Sequence, residues 1–143
     1  MPACPNRLII APVLRDQIFA AVRKRPDQER CGLLVGSGHS DITVESIFEA
    51  ENVSPEPTHR FEIDPQAQFD LLRRLRGTPQ RIVGHFHSHP NGPAAPSAFD
   101  LSMAHDPDAI WLIVALSPHP HVAAFTCPDQ SQGFQAIVVS PGP

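Results

Sequence analysis

Two histidines one residue apart, His87 and His89, and an aspartate eleven positions further on, Asp100, lie in the stretch HFHSHPNGPAAPSAFD at residues 85 to 100. On an extended segment side chains alternate between faces, so His87 and His89 point the same way and their rings can converge on one ion. With the Asp100 carboxylate they make a borderline-soft N,N,O donor set. Zinc sites with three protein ligands typically keep the fourth position for water or substrate, so the set suits catalysis. Between His89 and Ser97 stand Pro90, Asn91, Gly92, Pro93 and Pro96. That composition turns the chain sharply, costs little entropy when fixed, and brings Asp100 back to the histidines.

Ser97 and Asp100 match a capping box, in which the serine caps a helix and the acid three residues on reaches back. A helix start is also a fixed platform, from which Asp100 can bind metal while the Ser97 hydroxyl steadies an oxyanion as a carbonyl becomes tetrahedral. A metal with one open position needs a proton acceptor for its water, and a carboxylate outside the ligand set is the usual solution. Glu29, Glu45, Glu49 and Glu51 are the candidates, and spacing does not choose among them. His85 shares the face of His87 and His89, but a fourth protein ligand would close the site, so a supporting or packing role is expected for it. Cys31 reads as a buried thiol rather than a nucleophile.

The elements that must position these groups follow from periodicity and punctuation. Residues 7 to 10 suit a strand, and Pro12 opens a helix to about Arg25, with Leu14, Ile18, Ala21 and Val22 as its inward stripe. Residues 31 to 35 and 41 to 50 form two strands joined by a turn at Gly36, Ser37 and Gly38, followed by a polar loop over 51 to 60 and a short strand at 61 to 63. Asp64 as N-cap and Pro65 as first residue start a second helix, which runs through Phe69, Leu72 and Leu75 to Gly77. The histidine strand covers 81 to 89, a short helix 97 to about 105, and the run IWLIVAL at 110 to 116 a central strand buried on both faces. Segments 122 to 126 and 134 to 139 complete a mixed β-sheet flanked by α-helices, an α/β fold.

The 143 residues are enough for one domain, 1 to 143, with a core of its own. A formal charge of −4 and scattered Lys and Arg leave no basic patch for nucleic acid or an anionic membrane. Cys4, Cys31 and Cys127 are an odd set without C-x-x-C, which argues against a disulfide framework and fits a reducing cytoplasm. The N-terminus carries no leader pattern, and no run approaches a spanning helix. Seventeen prolines are about twice the usual share of about 5%, but they fall between periodic segments and so punctuate the fold.

His87-Ser88-His89-Pro90, the seven residues from Pro90 to Pro96, then Ser97-Ala98-Phe99-Asp100 resemble the JAMM signature H-x-H-x7-S-x-x-D of MPN-domain metalloproteases. Upstream, Glu29-Arg30-Cys31-Gly32-Leu33-Leu34-Val35-Gly36 is similar to the family's E-x-C-G-L-L-x-G segment. The resemblance runs from about Arg7 to Val139. It implies a fold like that of cytidine deaminases, one catalytic zinc on His87, His89 and Asp100, and Glu29 as general acid and base. The compact length is similar to bacterial members, which implies cleavage after the C-terminal Gly-Gly of a ubiquitin-like sulfur carrier. A non-catalytic MPN scaffold and a DNA-repair-associated domain of the same type are the rival classes. The intact ligand set weighs against the first and the acidic balance against the second.

Overall fold

The computed structural model describes residues 4–143. In chain order the elements are β1 (Arg7–Ile9), α1 (Pro12–Arg23), β2 (Cys31–Gly38), β3 (Asp41–Ala50), α2 (Pro65–Leu75), β4 (Arg81–Ser88), α3 (Ala98–Ser102), β5 (Ile110–Ala115), β6 (His121–Thr126) and β7 (Gln135–Ser140). A single 3₁₀ turn at Gln130–Gln132 precedes β7.

The fold is mixed α/β, and its sheet closes on itself in the order β1-β3-β2-β4-β5-β6-β7. The sequence leads to a mixed sheet flanked by helices and leaves its closure unspecified. The three-residue β1 accounts for the closure, because it pairs in parallel with both β3 and β7 and joins the two edges. Closure covers Asp41–Thr43 of β3 and Val138–Ser140 of β7, the stretches that β1 pairs. β5, apolar throughout and buried at every residue, pairs in parallel with β4 and antiparallel with β6. Leu8, Ile18, Leu34, Phe86, Ile110 and Leu112 pack together as the main core, with α1 contributing Ile18, Phe19 and Val22. No helix among the described residues is long and apolar enough to cross a membrane.

Three boundaries differ from expectation for identifiable reasons. β2 continues through Gly36 to Gly38, with a register irregularity between Val35 and Gly36. Gly36 lies inside the strand because a Cβ there would sit 1.9 Å from the Thr43 carbonyl oxygen, so the residue is needed for close approach rather than for a turn. The strand expected at 61 to 63 is reduced to one bridge between Asn52 and Ile63. The Asn52 side chain instead takes up backbone groups of this segment, donating to the Arg60 carbonyl at 2.9 Å and accepting from the Glu62 N–H at 3.0 Å. α3 ends at Ser102, short of 105. At α2 the expected start holds, with Asp64 accepting from the Gln66 N–H beside Pro65.

β4 carries the histidines and is registered by its neighbours. Gly84 makes this possible, because a Cβ at that position would meet the Ile110 carbonyl oxygen at 2.1 Å. Gly84→Ala is therefore expected to destabilise the fold by about 1–3 kcal/mol, as overpacking does. A urea-denaturation midpoint unchanged from the wild type would show that the β4 to β5 spacing has slack.

Candidate metal centre

β4 turns His87 and His89 to one side, as the two-residue period requires, and both rings offer Nε2. The His87 and His89 Nε2 atoms are 3.1 Å apart. Asp100 Oδ2 lies 3.3 Å from the first and 3.2 Å from the second. A tetrahedral ion with bonds of about 2.0–2.1 Å has donor-to-donor edges of about 3.3–3.4 Å, so this triangle matches one face of such a coordination shell. The donor chemistry also fits, with two imidazoles and one carboxylate. His87 and Asp100 are 0% and 2% exposed, which keeps competing water off the donors.

α3 sets the position of Asp100 through the capping box. Ser97 Oγ accepts from the Asp100 N–H at 3.0 Å, and Asp100 Oδ2 accepts from the Ser97 N–H at 2.9 Å. The Ser97 hydroxyl keeps its own proton to donate, since its oxygen serves the cap only as an acceptor. Burial would raise the Asp100 carboxyl, but hydrogen bonds from His87 and His89 and the Ser97 N–H hold it well below the usual carboxylate range. Burial pushes His87 down, against the hydrogen bond and charge of Asp100, which raise it. Burial also opposes protonation of His89, but its bonds to Asp100 and Pro93 outweigh this and its pKa is raised.

Glu29 precedes β2 and is 6% exposed. Its carboxylate, His87 and His89 offer ligand atoms that all lie within 4.8 Å of one another, a grouping capable of holding a metal ion. Its Oε1 is buried without a hydrogen-bond partner among the described residues. Burial pushes the carboxyl up to about 7, with His89 opposing and Asp100 adding to the shift. A carboxylate tuned to that range beside a metal-competent triangle suits proton transfer near neutrality. Glu45 and Glu49 are engaged elsewhere, the first with Ser37 and Gln80, the second with Lys24 and Arg30. Glu51 is exposed, and its backbone carbonyl accepts from the Asp64 N–H.

His85 stays outside the triangle. Its ring centroid is 5.8 Å from that of His87 and packs edge-on against Trp111 at 4.4 Å, and burial pushes its pKa down to about 3. With Trp111, Ile63 and Met103 it lines a cavity of about 280 Å³ next to the histidine strand. Cys31 is buried, with its thiol pushed up to about 12 by burial, so it is inert as a nucleophile.

Three residues that organise the centre escaped the sequence reading. Ser88 Oγ accepts from the Arg30 N–H at 2.9 Å, and the Ser88 N–H donates to the Arg30 carbonyl at 3.0 Å, fixing β4 beside the Glu29 segment. Asn52 donates to the Glu29 carbonyl at 2.7 Å, while the Glu29 N–H donates to the Pro57 carbonyl at 2.7 Å. Phe61 stacks on His87 with centroids 4.2 Å apart. The alternation that sets Ser88 opposite the histidines was available as a signal, whereas nothing local marks Asn52 or Phe61.

The family described as prokaryotic homologs of the JAB domain matches residues 11–128. A desampylase of Haloferax volcanii is 33% identical over 112 residues, covering 76% of this chain and 80% of the relative. A CysO-cysteine peptidase of Mycobacterium tuberculosis is 30% identical over 115 residues, covering 80% and 77%. The solution structure of a Desulfitobacterium hafniense protein superposes with a TM-score of 0.81 at 29% identity, covering 92% of this chain and 90% of that one.

Proposed function

Because the chain belongs to the prokaryotic JAB-domain family, we propose that it is a zinc-dependent peptidase or isopeptidase acting after the C-terminal Gly-Gly of a ubiquitin-like sulfur-carrier protein. The observation that carries this reading is the triangle of His87, His89 and Asp100 donors with Glu29 beside it. The relatives named as a desampylase and a CysO-cysteine peptidase support the substrate class.

In this reading His87, His89 and Asp100 would hold one zinc ion, which when bound would supply Lewis acidity to a carbonyl and lower the pKa of water. Glu29 takes a proton from the attacking water and returns it to the leaving amine. The Ser97 hydroxyl donates to the carbonyl oxygen as negative charge develops there. The whole chain, 1 to 143, acts as a single domain in the cytidine deaminase-like arrangement, here closed through β1. Free Cys4, Cys31 and Cys127 fit a cytoplasmic setting.

The deciding experiment offers the zinc-loaded protein a set of purified carriers, each extended beyond its Gly-Gly. Cleavage at that bond, abolished by chelation and restored by zinc, is the expected result. Failure on every carrier would leave the non-catalytic scaffold reading in its place. Ser97→Ala tests the oxyanion role. It is expected to cost about 1 kcal/mol of stability through the lost cap and about 10²-fold in kcat through the lost donor. A loss of stability alone, with kcat unchanged, would confine Ser97 to capping.

A further inference from the structure

An imidazole that binds metal through one nitrogen is usually fixed by a hydrogen bond at the other, and losing that partner typically weakens metal affinity 10–100-fold. His89 has such a partner, since its Nδ1 lies 3.1 Å from the Pro93 carbonyl oxygen while its Nε2 faces His87 and Asp100. His87 has none, because its Nδ1 is buried without a hydrogen-bond partner among the described residues. Aromatic rings pack around it instead, the His85 imidazole among them with centroids 5.8 Å apart. Phe61 lies over it with centroids 4.2 Å apart and planes 17° apart, and Trp111 stands edge-on at 5.8 Å and 84°.

Phe61 is not carried on a free loop. The segment from Glu51 to Asp64 is tied at its base by the Asp64 N–H to the Glu51 carbonyl at 3.1 Å and the Val53 N–H to the Glu62 carbonyl at 2.9 Å. Asn52 and Pro57 bind both backbone groups of Glu29. On the other side the Arg60 guanidinium lies 4.5 Å over the Phe99 ring, which belongs to the helix that presents Asp100. One strap therefore touches the base, the helix of the carboxylate donor and the ring of the first histidine.

We propose that Phe61 is a positioning residue for the metal centre, its face fixing the His87 ring in place of the missing Nδ1 hydrogen bond while the 51–64 strap registers that face against Glu29 and Asp100. The inference rests on His87 being a metal ligand. Without the flat face, the ring gains orientations in which Nε2 leaves the triangle, and affinity falls in proportion to the population that remains competent.

Phe61→Leu removes the aromatic face and keeps an apolar side chain, while Phe61→Tyr keeps the face. The readouts are zinc affinity by competition with a chromophoric chelator and the visible spectrum of the cobalt-substituted protein, with circular dichroism to follow the fold. Phe61→Leu is expected to bind zinc about 10-fold more weakly and to alter the cobalt spectrum, with Phe61→Tyr close to the wild type. Wild-type affinity in Phe61→Leu, or equal weakness in Phe61→Tyr, would overturn the proposal. Should Phe61→Leu not fold, Phe61→Met, flexible and without a flat face, carries the same two outcomes. His87→Ala separates the inference from the reading beneath it. If His87→Ala loses zinc and Phe61→Leu does not, only the positioning role fails, whereas zinc retained by His87→Ala removes the ligand assignment itself.

Discussion

Asp100→Asn is expected to fold and yet to lose zinc affinity by more than the 10–100-fold that changes outside the ligand set produce, with hydrolysis of an extended carrier falling alongside. A single oxygen, Oδ2, faces both Nε2 atoms and also accepts the Ser97 N–H. An amide oxygen still satisfies that N–H, so the start of α3 survives, but the charge that balances a dication is gone. Asp100→Ala also leaves the Ser97 N–H without its acceptor and is expected to cost about 1 kcal/mol more than the amide. Comparing the two separates ligation from capping. Zinc content and chelator competition measure the first, and urea denaturation of the metal-free proteins measures the second. Wild-type zinc affinity in Asp100→Asn would reject Asp100 as a ligand.

The same three donors were legible in the sequence because local rules set them together. A period of two aligned His87 with His89, and a loop rich in Pro and Gly before a capping box returned Asp100. Glu29 required a different kind of information. Four glutamates were open on spacing alone, and the resemblance to JAMM proteins selected one. In the structure that choice corresponds to the antiparallel register of β2 against β4, which sets Cys31 opposite His87 and so brings the preceding segment to the histidines. Such a register depends on the whole sheet and leaves no local trace.

What was not legible shares that character. Asn52 sits in a polar stretch between two prolines and a strand end, where its type suggests only a turn. Its four hydrogen bonds, to Glu29, Ser54, Arg60 and Glu62, exist only once the strap has folded. Phe61 read as part of a short strand, whereas its ring is spent on His87 and its neighbours' backbone groups on Asn52. The helices and most strands were foreseen because proline, glycine and apolar period announce them. Closure of the sheet was not, since it depends on three residues of β1 pairing in parallel with a strand at the far end of the chain.

Glu29→Gln should separate chemistry from metal binding. If Glu29 carries the proton, the amide leaves the three donors untouched and zinc content unchanged, while kcat falls by about 10²–10⁴-fold, the usual worth of a positioned general base. Full activity in this variant would remove Glu29 from the mechanism, and lost zinc would make it a ligand. The same substitution has an opposite effect on the metal-free fold. Burial holds the Glu29 carboxyl at about 7 against an ordinary 4.5, so the folded chain prefers it protonated. A raised folded pKa contributes stability that is present below 4.5 and lost as pH climbs through about 7. The neutral amide escapes that loss. Metal-free Glu29→Gln should therefore match the wild type below pH 4.5 and exceed it above pH 7 by about 3 kcal/mol. A stability gap independent of pH would show that Glu29 is not held against its ionisation. An inactive variant that is more stable than its parent, with the advantage opening over the range in which the base must ionise, would locate in one carboxylate the cost of keeping a base buried beside a metal.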